Sequence, residues 1–271
     1  MPSVPTLAGM RLQDPTVMQA FAWDPAHRVW IFAQLTAGRP ATSGDLTLTK
    51  VSATGARLGW MHLRGFGHGL TISIENAGAV TYVWTETHAV ANPVRGWALA
   101  GAYGNQIARF AWRSGVTLTP SSTKQFGVNA GAPEQTPSVD AADGLIAIQY
   151  WSTGLHVFRW AVYDLAAFKR HQYTALARFT VPPTLAGTVE QGWALASRTQ
   201  VGNWQGTNSG KPGNATFATI SSAGSLTGRV NSTVAGEPEG MTRVGPGNLC
   251  TGFASGPTGA RRANVYCNAT P

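Results

Sequence analysis

The feature that most restricts what this chain can fold into is a short pair, a polar residue and then a small one, recurring ahead of alternating hydrophobic runs. Gln19-Ala20 opens "QAFAWD", His68-Gly69 opens "HGLTISIE", Gln191-Gly192 opens "QGWALAS" and Glu239-Gly240 opens "EGMTRVG". A looser copy falls at Pro137-Ser138 in "TPSVDAAD". The intervals are 49, 69, 54 and 48 residues, close to the length of one four-stranded propeller blade.

Further strand-like runs follow each pair, separated by turn residues. The first unit continues with "RVWIFAQL", "DLTLTKVS" and "ARLGWMHL", the second with "VTYVWTE" and "NQIARFAW". The third holds "LIAIQYW", "LHVFRWAVYDL" and "QYTALARFTV"; the fourth holds "NATFATISSAG" and "SLTGRVNST". The last has only "LCTGFASG" and "RANVYCN", one strand short, while the N-terminal "TLAGMRL" is unassigned. In a closed propeller that N-terminal strand completes the last blade and removes an open edge. The expected fold is therefore all-β: a single domain over 1–271, a five-bladed β-propeller of four-stranded blades. One short piece, Tyr163 to Gln172, has helical character and is expected to form a loop turn.

Inner strands of such a fold crowd one axis, where glycine permits close backbone approach. The polar partner then faces the central channel. Gln19, His68, Gln191 and Glu239 are expected to ring one mouth of that channel, as a ligand site or as plain water-filled lining.

The chain carries a net charge of +8, with 16 Arg and 4 Lys among its 271 residues. That surface attracts polyanions, but no basic run interleaved with aromatics suggests nucleic acid. No apolar run is long enough to span a membrane, and "MPSVPTLAGM" lacks the pattern of a secretion leader. Cys250 and Cys267 flank one hairpin, placed either to form a disulfide or to be two small buried hydrophobes. No neighbouring His or Cys completes a zinc site with them, and no cofactor motif occurs. "GFGHG" only mimics a dinucleotide-binding loop, because no helix follows it.

"DPTVMQAFAWD", "RVWIFAQL", "GFGHGLTISIE" and the C-terminal "EPEGMTRV" with "LCTGFASGPTGARRANVY" resemble a family of five-bladed propellers. The family includes receptor-binding proteins of phages infecting Gram-positive bacteria and proteins labelled teichoic acid biosynthesis protein C. The resemblance spans roughly Thr16 to Tyr266 and is loosest between Gln172 and Asn231. It implies a virion tail-tip or baseplate module, with other tail proteins and a cell-wall glycan or teichoic acid as partners. Oligomerisation through tail symmetry would fit that setting. A secreted glycan-binding or antibacterial propeller is the alternative.

A third alternative is a glycan-cleaving hydrolase, which needs two carboxylates flanking a cleft. Asp140, Glu190 and Glu239 are the acidic candidates near the axis, with Glu239 best placed and no clear partner for it. A non-enzymatic chain is therefore expected, with no metal, although His68 and Glu239 could meet an ion across the channel. Among outer-loop candidates, Trp204 in "VGNWQGTNSGKPGN" reads as an exposed sugar-stacking group. Arg243, Arg261 and Arg262 read as partners for phosphate oxygens.

Overall fold

The computed structural model describes residues 2–92, 101–185, 189–206 and 211–268. After β1 (Leu7–Met10), the first blade is β2 (Met18–Asp24), β3 (Val29–Leu35), β4 (Leu46–Ser52) and β5 (Arg57–Leu63). The second comprises β6 (Ser73–Ala77), β7 (Val80–Ala91) and β8 (Ala102–Ala111); β9 (Thr117–Leu118) then joins β5 in parallel, and β10 (Lys124–Phe126) completes the blade. The third is β11 (Thr136–Asp140), β12 (Leu145–Ser152), β13 (Val157–Asp164) and β14 (Ala177–Thr180), with α1 (Leu165–Lys169) after β13. The fourth is β15 (Glu190–Ser197), β16 (Gln200–Gln205), β17 (Thr216–Ser221) and β18 (Leu226–Asn231). The fifth is β19 (Glu237–Gly245), β20 (Asn248–Ser255) and β21 (Arg262–Cys267), against which β1 lies antiparallel.

The chain is thus a five-bladed propeller closed by its N-terminal strand, with β2, β6, β11, β15 and β19 arranged around the axis. All five inner strands run the same way, from an upper face that carries the polar–small pairs to a lower face. Cys250 sits opposite Cys267 across β20 and β21 and is joined to it by a disulfide.

Strand periodicity explains why the blades stack. In β2, Phe21 and Trp23 point one way, to pack with Trp30, Phe32 and Val265 between blades five and one. Ala20 and Ala22 point the other way, against Ile31, Leu48 and Val83 between blades one and two. Successive side chains face opposite sides of a sheet, so a strand apolar on both faces serves two interfaces. The other three interfaces hold clusters around Trp84, around Trp160 with Trp193, and around Trp204. Inner strands are also pinned laterally: the Val139 amide donates to Ser73 Oγ (3.1 Å) and the Leu195 amide to Ser138 Oγ (2.9 Å).

Two elements differ from the sequence reading. "VGNWQ", read as part of a loop, is strand β16 and buried throughout from Val201 to Gln205. The Tyr163–Gln172 piece contains a true helical turn, because the Asp164 carboxylate caps it by accepting from the Ala167 amide (2.6 Å). That is the ordinary role of Asp at a helix N-cap.

The axis is closed most tightly between β15, β19 and β2. A Cβ on Gly192 would lie 2.8 Å from Gly240 Cα, and one on Gly240 would lie 2.8 Å from Ala20 Cα. Both glycines have positive φ, 148° and 70°. Gly192→Ala therefore adds a backbone clash to an unfavourable φ, and we expect it to cost at least about 2 kcal/mol, read as a lowered denaturation midpoint. Unchanged stability would show that the inner strands are free to part.

Candidate functional site

The glycines around His68 serve a carboxylate. Glu86, on β7, is fully buried, and its oxygens accept from the backbone amides of Gly69 (2.6 Å) and Gly104 (2.5 Å). Cβ atoms on Gly67 or Gly104 would overlap the Glu86 side chain. "GFGHG" is thus folded around an acid, a nest of N–H groups of the kind that binds anions. Burial still pushes the Glu86 pKa up to about 7, against the pull of those amides. Beside it, the His68 ring stacks on Tyr103, with centroids 5.0 Å apart and planes 15° apart. His68 Nδ1 is buried with no hydrogen-bond partner, and burial lowers the pKa to about 4, so the ring is neutral at pH 7.

Glu134 precedes β11 in the left-handed region (φ 57°), 2% exposed. Burial and the nearby charges of Glu86 and Glu190 raise its pKa well above the ordinary value, and its Oε2 has no hydrogen-bond partner. Glu190, at the start of β15, accepts from the side-chain amides of Gln149 (2.9 Å) and Asn203, and burial takes it up to about 7. Glu239 on β19 is buried; burial and the charge of Glu237 raise it strongly, while Arg261 opposes them. Glu237 in turn pairs with Arg261 at 3.0 Å.

The upper end of the axis is therefore an arc of buried acids, with Gln19 and Gln191 beside it, each 8% exposed. It is uneven, because Gln19, Gln191 and Glu239 sit where three inner strands touch. His68, Glu86 and Glu134 line the looser side. A carboxyl held protonated near neutrality can donate a hydrogen bond or act as a general acid. Among the described residues, no group of three or more His, Cys, Asp or Glu side chains is arranged to hold a metal ion.

Three expected placements are corrected. Trp204 is fully buried, packed edge-on to Phe253 with its indole N–H donating to Gly252 O (3.3 Å). It is a wedge between blades four and five, because β16 continues through it; part of the loop that follows, 207–210, lies outside the described residues. Arg243 is on the lower half of β19, bound to Asp140 and Asp143 of blade three, so it is a strut rather than an outer-loop contact. Asp140 shares that pair and sits at the far end of β11 from Glu134 and Glu190. Arg261 and Arg262 do lie on the upper face, beside Glu237.

Glu86 and Glu134 were missed. Glu86 belongs to a second strand, where no inner-strand pattern points. Glu134 had a signal: the dipeptide Glu-Gln stands directly before inner strand β11 at 134–135 and opens inner strand β15 at 190–191. Aligning blade three on Pro137-Ser138 hid it.

No family model matches the chain. A putative major teichoic acid biosynthesis protein C of Bacillus subtilis is 24% identical over 147 residues, 53% of this chain and 31% of that protein. The tail fibre of a Staphylococcus aureus phage superposes with TM-score 0.74 at 16% identity, over 97% of this chain and 52% of that one. The chain thus spans about a third of the first protein and half of the second, and shares the second's fold. An exo-β-1,3-galactanase of Phanerochaete chrysosporium, with galactose, superposes with TM-score 0.51 at 10% identity, over 93% of this chain and 60% of that one. One of Clostridium thermocellum does so with TM-score 0.50 at 9% identity, over 97% and 62%. These likenesses correct the expectation of a non-enzymatic chain: its fold is also that of glycoside hydrolases, and its axis carries buried acids that the sequence reading overlooked.

The raised acids give a signed pH dependence. Glu190 titrates near 7 in the fold against an ordinary 4.5, so above pH 4.5 the folded chain holds more protons than the unfolded one, and stability falls as pH rises through 7. His68, depressed to about 4, works the other way only below about pH 6.5. Between pH 6.5 and 8 the unfolding free energy is expected to drop by about 1 kcal/mol for each such acid, with a smaller drop in Glu190→Gln. Denaturant titrations across that interval check it; a flat profile would contradict the assignment.

Proposed function

We propose that this propeller is the part of a phage-tail-type protein that engages a cell-surface glycan, such as a teichoic acid, at the upper end of its axis. The observation that carries this reading is a set of buried polar atoms without hydrogen-bond partners there. They are His68 Nδ1, Glu134 Oε2, Gln149 Oε1 and Asn203 Oδ1. Buried polar atoms are normally paired, and sugar hydroxyls, which both donate and accept, would pair them. Gln19, Gln191 and Glu239 complete the mouth in this reading. The tail-fibre fold and the teichoic-acid-related sequence likeness support a virion tail setting with tail proteins as neighbours.

One observation favours a second reading, cleavage of the bound glycan. Carboxyls of raised pKa sit with other carboxyls in one site, and general-acid catalysis on a glycosidic bond uses one such protonated acid with a second, ionised carboxylate as its partner. In this version Glu190 or Glu239 would supply the proton.

Purified protein is to be titrated onto Gram-positive cell walls, native and stripped of their glycopolymers, with released sugar measured in the same samples. We expect saturable binding that stripping removes and that Gln191→Ala or Glu239→Gln weakens at least tenfold. Sugar release abolished by Glu239→Gln or Glu190→Gln would establish cleavage. Equal binding to stripped and native walls would refute the glycan reading.

A further inference from the structure

The segment between β1 and β2 and the hairpin joining β20 to β21 enclose a cleft of about 320 Å³ on the upper face. Arg11, Gln13, Asp14, Arg261 and Arg262 line it. Its walls are fixed from behind. The Gln34 side chain, itself buried, donates to Asp14 O (2.8 Å) and Thr16 O (2.7 Å) and accepts from the Asp14 amide (3.2 Å). The Gln13 amide donates to Thr49 Oγ1 (3.0 Å), and the Arg261 amide reaches across to Pro15 O (3.2 Å).

The charges in the cleft do not cancel. The Asp14 carboxylate is already engaged by the Thr47 hydroxyl (2.6 Å) and the Ala37 amide (3.1 Å). Arg261 is committed to Glu237 and to Gly256 O (3.1 Å). Among the described residues, the side chains of Arg11 and Arg262 have no ion pair or hydrogen bond, although the Arg262 backbone belongs to the β20–β21 ladder. Two arginines whose side chains are unengaged thus line one preformed cleft. Glu237, which anchors Arg261, is two residues before Glu239, so the cleft adjoins the mouth at about 7 Å of strand.

We propose that this cleft binds a phosphate ester group of the polymer whose sugar occupies the mouth, with Arg11 and Arg262 as its donors. The inference rests on the glycan reading above and adds the charge of the ligand. A planar carboxylate is satisfied by a single guanidinium fork. A tetrahedral phosphate offers oxygens in several directions and so accepts forks from two walls at once.

Calorimetric titrations would use three probes: a glycerol phosphate oligomer, a neutral oligosaccharide from the same wall, and an oligogalacturonate of matched charge. With roughly tenfold for each charged hydrogen-bonding group, Arg11→Ala with Arg262→Ala should weaken the phosphate oligomer about 100-fold and leave the neutral probe unchanged. Added salt should weaken the phosphate oligomer in the wild type and barely affect the double variant. Arg11→Ala alone, at an exposed position outside any strand, should lose about tenfold with an unaltered melting curve, separating lost contacts from lost folding. Undiminished phosphate binding in the double variant, or equal binding of the oligogalacturonate, would overturn the proposal. Phosphate binding that depends on both arginines without any neutral-probe binding would sustain the cleft and sink the mouth. Neutral-probe binding with no arginine dependence would do the reverse.

Discussion

Five sheets can share one axis only if their inner strands come almost into backbone contact, and this crowding governs the rest of the molecule. Where β15, β19 and β2 meet, Gly192 and Gly240 leave room for main chain against main chain. The opposite arc, from the His68 loop to Glu134, is less tightly closed. Gln19, Gln191 and Glu239 stand at the tight arc, and His68, Glu86 and Glu134 at the looser one. The asymmetry of the axis is thus a packing result before it is a functional one.

Buried acids gathered in one place would normally oppose folding. The structure meets this in three ways: amide donors around Glu86, side-chain amides on Glu190, and neutralisation by proton uptake where neither is available, as at Glu134. Glu239 has the charge of Arg261 against it. A fold that needed only to be stable would gain by replacing these groups with apolar ones. Their presence at one end of the axis is the kind of local conflict that marks a functional site. The lower face looks different: Asp24 is held by Thr81, Asn76 and His27, and Arg243 ties blade five to blade three. These charges are paired and serve as struts.

Much of the architecture was legible because blade packing demands period-2 strands with apolar residues on both faces, and because the missing strand of blade five had one candidate, "TLAGMRL". The site was less legible, for a physical reason. Gln19, Gln191 and Glu239 open inner strands and follow the repeat, whereas Glu86 reaches the axis from a second strand through gaps left by Gly67 and Gly104. A spacing pattern along one strand cannot register a side chain arriving from another. Trp204 failed differently: its neighbours Gly, Asn and Gln look like a loop, yet Asn203 and Gln205 are buried and Gly202 lies beneath Met241 and Leu249. Polar residues in a central strand are readable only when their partners are known.

The closure by β1 also has a mechanical side. β1 climbs from the lower face while β21 descends to it, so the Thr6 amide meets Val265 O (2.7 Å) and the Cys267 amide meets Thr6 Oγ1 (3.1 Å) at the same end of the pair. Tension applied between these two ends would load the β1–β21 hydrogen bonds one after another, as in a zipper, rather than all together in shear. The covalent link from Cys267 to Cys250 would keep β21 on β20 while β1 peeled away. Under load the ring has a defined weakest seam, and opening it would expose the edge of β21 while the four other blades kept their strands.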